Sequence, residues 1–198
     1  MISFKEFLNE KVTDNYLYHI SDIDKMKSFL KNDSFWHGET SLTRNKRIDS
    51  ISHMSPKYFQ FVFDRDKLKT RYKITPYSDV SFKEKGFDGD EAEEKITNFK
   101  DISKYIVEIN FLRYDFILQI VNDYKSILNQ NYKRKIDYED IEWTINSFLK
   151  DLKDMIATIK KSYKFNVIIN GNKTSDKDLL KLIDEGIKLG TEILNAEK

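Results

Sequence analysis

Tyr58-Phe59-Gln60-Phe61-Val62-Phe63 is the stretch that decides the fold, because no other segment of the chain favours a β-strand so strongly. Aromatic and β-branched residues dominate it, and such residues fit the half-buried surface of a sheet. A second clear strand is predicted at Tyr105–Phe111, where YIVEINF has the same bias. Shorter extended segments are predicted at Tyr16–Ile20, Ser41–Arg44 and Tyr72–Tyr77. The first half of the chain therefore predicts a sheet.

Helical spacing of apolar residues takes over after Phe116. The apolar positions recur every three or four residues over 116–128, 141–159 and 175–195, which predicts three helices. A short strand is expected between the last two, over Phe165–Ile169. In the first half, Asp22 is the expected N-cap of one further helix that carries Ile23 and Leu30 on one face.

The predicted fold class is α+β: a small mixed or antiparallel sheet domain followed by a helical C-terminal part. Three regions are expected. Residues 1–14 form an amphipathic N-terminal helix, residues 15–114 form the α+β region, and residues 115–198 form a mainly helical region packed on it. Any chemistry is expected between Tyr16 and Asn110, with the rest serving as scaffold.

Composition excludes several classes of protein. Among 198 residues, 34 Lys and Arg nearly balance 33 Asp and Glu, so the overall charge gives no reason to expect a nucleic-acid partner. A local basic face is still compatible with this balance. The absence of cysteine excludes disulfides, thiolate zinc sites and a cysteine nucleophile. No apolar run approaches the roughly 20 residues that span a bilayer. We expect a soluble protein inside a cell, without a membrane partner.

Two polar clusters lie at the ends of predicted strands. Tyr18-His19 precedes the first helix, and a histidine there is able to bind a ribose or a phosphate. Its alternative role is to cap or pack against that helix. Ser41 and Thr43 share one strand face and Arg44 follows them, a set suited to a diphosphate or a sugar. The alternative is an ordinary surface strand.

A third cluster, Glu91-Ala92-Glu93-Glu94, follows a glycine-containing loop. A mobile loop followed by carboxylates is one way to deliver a catalytic acid or base. The alternative is a charged helix start, where acidic residues are favoured. Other catalytic patterns are missing: the three histidines lack metal-site spacing, and no phosphate-binding loop or nucleophile elbow occurs. No metal is therefore expected.

The order of these clusters resembles DarT-like ADP-ribosyltransferases over residues 16–111. Tyr18-His19-Ile20-Ser21 and the helix that begins at Ile23 are similar to the opening of that family, although Lys25 stands where the family has asparagine. Arg44 matches an arginine near the nicotinamide end of NAD. Asp90–Ile96 resembles the segment with the catalytic glutamate, and Glu93 is its match.

The resemblance implies an enzyme that uses NAD as substrate and breaks the bond between nicotinamide and ribose. Glu93 would stabilise the developing positive charge and orient or deprotonate the acceptor, and Arg44 would hold the phosphates or the nicotinamide ribose. The implied NAD-binding residues are Tyr18, His19, Ser41, Thr43 and Glu91. Among these, His19 would hold a ribose, Ser41 or Thr43 the carboxamide, and Glu91 would select the acceptor.

The first ten residues, MISFKEFLNE, are similar to the opening of many small proteins of T-even-type phages. In some of these the segment targets the protein to the capsid. The sequence therefore predicts a phage protein in the host cytoplasm or packaged in the virion, with a host protein or nucleic acid as acceptor. The alternative function is non-enzymatic, either an internal head protein or a binder of a host or host-defence factor. A nuclease is less compatible with the near-zero charge.

Overall fold

The structure, a computed structural model, describes residues 15–35, 38–44, 57–76, 93–130, 135–165, 167–169 and 176–197. The chain divides into two compact units, Met1–Asn110 and Phe111–Lys198. The expected N-terminal helix over 1–14 and residue Glu91 lie outside the described residues, as does the proposed capsid segment.

The first unit is built around a sheet with an α+β order of elements. Its strands lie in the order β4-β5-β2-β1-β3-β6. The elements are β1 (Tyr16–Ser21), α1 (Ile23–Asn32), β2 (Glu39–Thr43), β3 (Phe59–Asp64), α2 (Arg65–Lys69), β4 (Thr75–Pro76), β5 (Glu93–Thr97), a 3₁₀ turn (Ile102–Lys104) and β6 (Ile106–Phe111). The predicted α+β class is confirmed.

The core of this unit is a cluster of aromatic rings on one face of the sheet. Phe61 of β3 lies 5.1 Å from the ring of Phe29 in α1 and 4.9 Å from that of Phe35. Phe63 and Phe99 extend the cluster, with ring centroids 5.4 Å apart. All five rings are buried. Each such side chain contributes on the order of 2–3 kcal/mol by leaving water, so this face fixes α1 on the sheet.

Local signals set the ends of α1. The side chain of Asp22 accepts a hydrogen bond from the backbone N–H of Lys25 at 2.8 Å, which confirms the predicted N-cap. The helix ends at Asp33, whose φ of +48° lies in the left-handed region. Its N–H donates to the carbonyl of Phe29 at 2.8 Å and closes the last turn.

The second unit is mainly helical. It contains α3 (Tyr114–Leu128), α4 (Tyr138–Trp143), a π-helical segment (Thr144–Leu149), α5 (Lys150–Thr158), a second π-helical segment (Ile159–Tyr163), the strand β7 (Val167–Ile169) and α6 (Asp176–Glu197). The stretch from Tyr138 to Tyr163 is continuous, as the apolar spacing predicted, but it alternates between α and π geometry. None of the described helices is long and apolar enough to cross a membrane.

Candidate functional site

Three of the sequence-predicted site residues lie in one row across the sheet. Tyr18 of β1 lies opposite Thr43 of β2, and Thr43 lies opposite Glu93 of β5. Directly opposed residues in an antiparallel ladder have Cα atoms about 4.5–5.5 Å apart. The fold therefore brings together positions 18, 43 and 93, which are far apart in the sequence.

Burial distinguishes the members of this row. Tyr18 and Thr43 are 3% and 5% exposed. Ser41, two residues before Thr43, and Arg44, the residue after it, are half-buried. Burial of a hydroxyl is costly unless it is hydrogen-bonded, so polar residues at these positions are not ordinary solvent-facing residues. The surface-strand alternative for Ser41–Arg44 does not fit this burial.

His19 lies on the other face of β1, because successive side chains of a strand point to opposite faces. It is opposite Phe61 of β3. Its ring packs on that of Phe35, with centroids 4.3 Å apart. The structure therefore does not bring the imidazole together with the side chain of Tyr18, although the two residues are adjacent.

A hydrogen bond connects His19 with β2. Its Nδ1 lies 2.8 Å from the carbonyl oxygen of Ser41. A carbonyl only accepts, so Nδ1 carries the proton in this contact. Burial lowers the pKa of His19 to about 4, mainly by desolvation, and the hydrogen bond to Ser41 offsets part of the effect. The ring is therefore neutral at physiological pH.

This tautomer determines what the second nitrogen is able to bind. With the proton on Nδ1, Nε2 carries a lone pair and only accepts hydrogen bonds. Nε2 is fully buried and has no hydrogen-bond partner among the described residues. A ribose hydroxyl is a suitable donor to this atom, whereas a phosphate oxygen is not. Because Nε2 is buried, this preference concerns the chemistry of the atom and not an open binding site.

Sequence reasoning missed a buried polar pair on the face that carries Tyr18. Gln60 of β3 lies opposite Ile20 of β1. Its Oε1 accepts a hydrogen bond from Nδ2 of Asn110 at 3.2 Å. Asn110 is 2% exposed, and its Oδ1 has no hydrogen-bond partner among the described residues. One available signal was a polar residue inside each of two largely apolar strands, Gln60 in β3 and Asn110 in β6, although β6 also contains Glu108.

Phe35 is the second residue that the sequence did not single out. It lies just after α1, and its ring covers the imidazole of His19. Ser28 Oγ hydrogen-bonds the carbonyl of Phe35 and fixes the backbone at this position. Phe35 therefore excludes water from His19 and is one cause of its lowered pKa.

The part of the chain that the structure describes contains no group of three or more His, Asp or Glu side chains able to hold a metal ion. Of the acidic cluster, Glu93 and Glu94 are the first two residues of β5.

Comparison with protein-family models, with curated proteins and with solved structures found no match.

Proposed function

We propose that the chain is a phage-encoded, NAD-dependent ADP-ribosyltransferase-like protein that modifies a host macromolecule. The observation that supports this function best is the cross-strand row of Tyr18, Thr43 and Glu93. Tyr18 and Thr43 are predicted NAD-binding residues on two neighbouring strands, and Glu93 is the predicted catalytic glutamate on a third strand. The resemblance rests on the order of motifs along the chain and not on strand pairing, so the register that aligns these three residues is a separate observation.

His19 is assigned to a ribose on the resemblance alone, because its ring lies on the face of the sheet opposite the side chains of this row. Its Nε2 is an acceptor with no hydrogen-bond partner among the described residues, but the atom is buried, so a ribose hydroxyl reaches it only after the surrounding packing opens. In the proposed function, that hydroxyl donates to Nε2 while Ser41 holds the ring in the required tautomer. Arg44, at the end of the same strand, is assigned to the phosphates or the nicotinamide ribose, since its guanidinium offers several donors.

The proposed reaction breaks the bond between the nicotinamide nitrogen and the ribose C1′. The bonding electron pair leaves with nicotinamide, and a nucleophile of the acceptor forms the new bond to C1′. Positive charge develops on the ribose during this step, so a nearby carboxylate lowers the barrier. Glu93 is assigned to that position and to removal of the acceptor's proton. Ser41 or Thr43 is assigned to the carboxamide, and Glu91 to the choice of acceptor.

Incubation of the full chain with NAD, labelled in its adenylate phosphate, and a bacterial host lysate tests this function. We expect nicotinamide release together with transfer of the label to one macromolecular fraction. Digestion of that fraction by protease or by nuclease then identifies the class of acceptor. Absence of both nicotinamide release and label transfer would contradict the proposal.

Trp143 favours a second candidate, a non-enzymatic binder of a host factor. This side chain in α4 is 61% exposed, which is unusual for the largest apolar residue, and tryptophan is enriched at the centres of protein interfaces. Chemical crosslinking in the same lysate distinguishes the two candidates. Crosslinks that disappear in Trp143→Ser, without any nicotinamide release by the wild type, would favour the binder.

A further inference from the structure

A cleft of about 720 Å³ lies in the first unit, between the second half of α1 and residues 98–101. Residues 98–101 follow the end of β5, whereas Glu93 begins that strand. At about 3.3 Å per residue, residue 98 lies about 16 Å from residue 93. The cleft is therefore separate from the row of Tyr18, Thr43 and Glu93, although Phe35, which lines the cleft, also packs on His19.

Several hydrogen bonds hold the walls of the cleft together. The carboxylate of Asp33, at the end of α1, accepts from the backbone N–H of Ser103 at 2.7 Å and from its hydroxyl at 2.6 Å. The carbonyl of Asp33 accepts from the N–H of Ile102 at 3.2 Å. On the opposite side, the hydroxyl of Tyr72 bonds both backbone groups of Lys100. The cleft is thus preformed, which reduces the entropic cost of binding a ligand.

The charges around the cleft favour an anion. Three exposed lysines line it: Lys27 and Lys31 on one face of α1, and Lys100 opposite them. The acids in the lining are Asp24 and Asp101. Asp101 is already compensated, because its carboxylate pairs with Arg71 at 3.0 Å and with Lys104 at 3.4 Å. The net local charge is positive although the chain as a whole is nearly neutral.

The floor and the rim of the cleft differ in chemistry. Phe35 and Phe99 form the apolar floor, with ring centroids 6.4 Å apart. Asn32 and Asn98 add amide groups at the rim, and Asn98 adopts a φ of +52°, which asparagine tolerates better than most residues. An apolar aromatic floor beneath a cationic rim matches a ligand that has a flat ring at one end and a phosphate at the other.

We propose that this cleft binds a nucleoside monophosphate or a similar aromatic phosphate ester. The phosphate lies against Lys31 and Lys100, and the ring lies against the floor formed by Phe35 and Phe99. This site does not depend on the proposed transferase function, and it remains testable if the chain does not use NAD.

Titration of the ¹⁵N-labelled full chain with AMP, followed by backbone amide shifts, tests the site. We expect shifts concentrated in residues 27–35 and 98–101, and smaller shifts of the same amides with inorganic phosphate alone. Shifts restricted to Tyr18 and Thr43 would overturn the proposal. So would an absence of shifts.

Charge-reversal variants provide the matched comparison. Lys31→Glu/Lys100→Glu should weaken AMP binding more than about tenfold, because two attractive charges become repulsive. The neutral pair Lys31→Gln/Lys100→Gln should lose less affinity. Lys188→Glu changes the charge of another exposed lysine, in the second unit, and should leave the affinity unchanged. Equal affinities for all four chains would overturn the proposal, and their amide spectra show whether each variant is folded.

Discussion

Nδ1 of His19 donates a hydrogen bond to the carbonyl oxygen of Ser41 over 2.8 Å, and this contact connects the first two strands where they separate. Among the described residues, β1 and β2 pair at one position, Tyr18 with Thr43. The imidazole donates to a carbonyl oxygen that would accept from a backbone N–H if the pairing of the two strands were longer. His19 is therefore part of the sheet's own hydrogen bonding, and its remaining nitrogen is held in one orientation by the fold.

The free energy of unfolding should fall as the pH is lowered, because His19 takes up a proton in the unfolded chain at a higher pH than in the folded protein. Its pKa is about 4 in the folded protein and 6.5 ordinarily. Between these values only the unfolded chain gains the proton, so the free energy of unfolding declines as pH falls from above 6.5 to 4. The decline from this group is about 3 kcal/mol. Below pH 4 both states are protonated and the contribution is constant.

Urea denaturation of the wild type and of His19→Phe at pH 7, 5.5 and 4 measures this effect. Phenylalanine fits the aromatic surroundings but does not titrate. The difference in the free energy of unfolding between the two proteins should therefore shrink or reverse by about 3 kcal/mol on acidification. Carboxylates elsewhere affect both proteins equally. A difference that stays constant with pH would show that His19 is not buried in its neutral form.

Asp33 should be the most sensitive residue at the end of α1. Asp33→Ala removes two hydrogen bonds to Ser103 and places a residue with a Cβ but no polar group at a φ of +48°. We expect a loss of about 2–3 kcal/mol in the free energy of unfolding. Asp33→Asn keeps an acceptor and tolerates the left-handed conformation, so its loss should be smaller. Chemical denaturation measures both, and equal losses would contradict this explanation.

Two glycines in α6 should respond differently to replacement by alanine. A Cβ at Gly190 would lie 2.6 Å from Cδ1 of Ile145 and 2.8 Å from Cε2 of Tyr124. At Gly186 the nearest atom would be Cδ1 of Leu149, a flexible side-chain end, at 3.1 Å. Gly190→Ala should therefore destabilise the protein by about 1–3 kcal/mol. Gly186→Ala should be near neutral, because alanine favours the helix by up to about 1 kcal/mol. Thermal unfolding that shows the opposite order would contradict the packing.

Apolar patterns in the sequence predicted most elements correctly. The run from Tyr58 to Phe63 became β3, whose residues are nearly all buried, and the segment 105–111 became β6. These elements are recognisable because burial on a sheet favours aromatic and β-branched residues, which dominate both segments. The helices of the second unit were predicted for the same reason, since one face of each is buried.

β5 was not predicted as a strand, and its sequence explains why. EEKIT has one buried apolar residue, Ile96, and the alternative for its acidic start was a helix. That helical alternative is wrong. The segment is extended because it pairs with β2 on one side and β4 on the other. Pairing with distant strands overrides local preference, and a single sequence does not contain that information.

The candidate site was predictable as a set of residues but not as an arrangement. Strand-end position singled out Tyr18, His19 and Thr43 from the sequence. Their division between two sheet faces depends on register, and the contact of Phe35 with His19 depends on how the chain turns after α1. Neither the register nor this turn leaves a periodic pattern in the sequence, so Phe35 and Asn110, the buried partner of Gln60, were not predicted.

The most direct measurement is nicotinamide release from NAD by the wild type, by Glu93→Gln and by Glu94→Gln. The two variants make the same chemical change at adjacent residues of β5, opposite Thr43 and Leu42 respectively. If Glu93 stabilises the ribose cation, Glu93→Gln should lower the rate at least about a hundredfold while NAD binding survives. Glu94→Gln should stay within about threefold of the wild type. Full turnover by Glu93→Gln would contradict the proposed function.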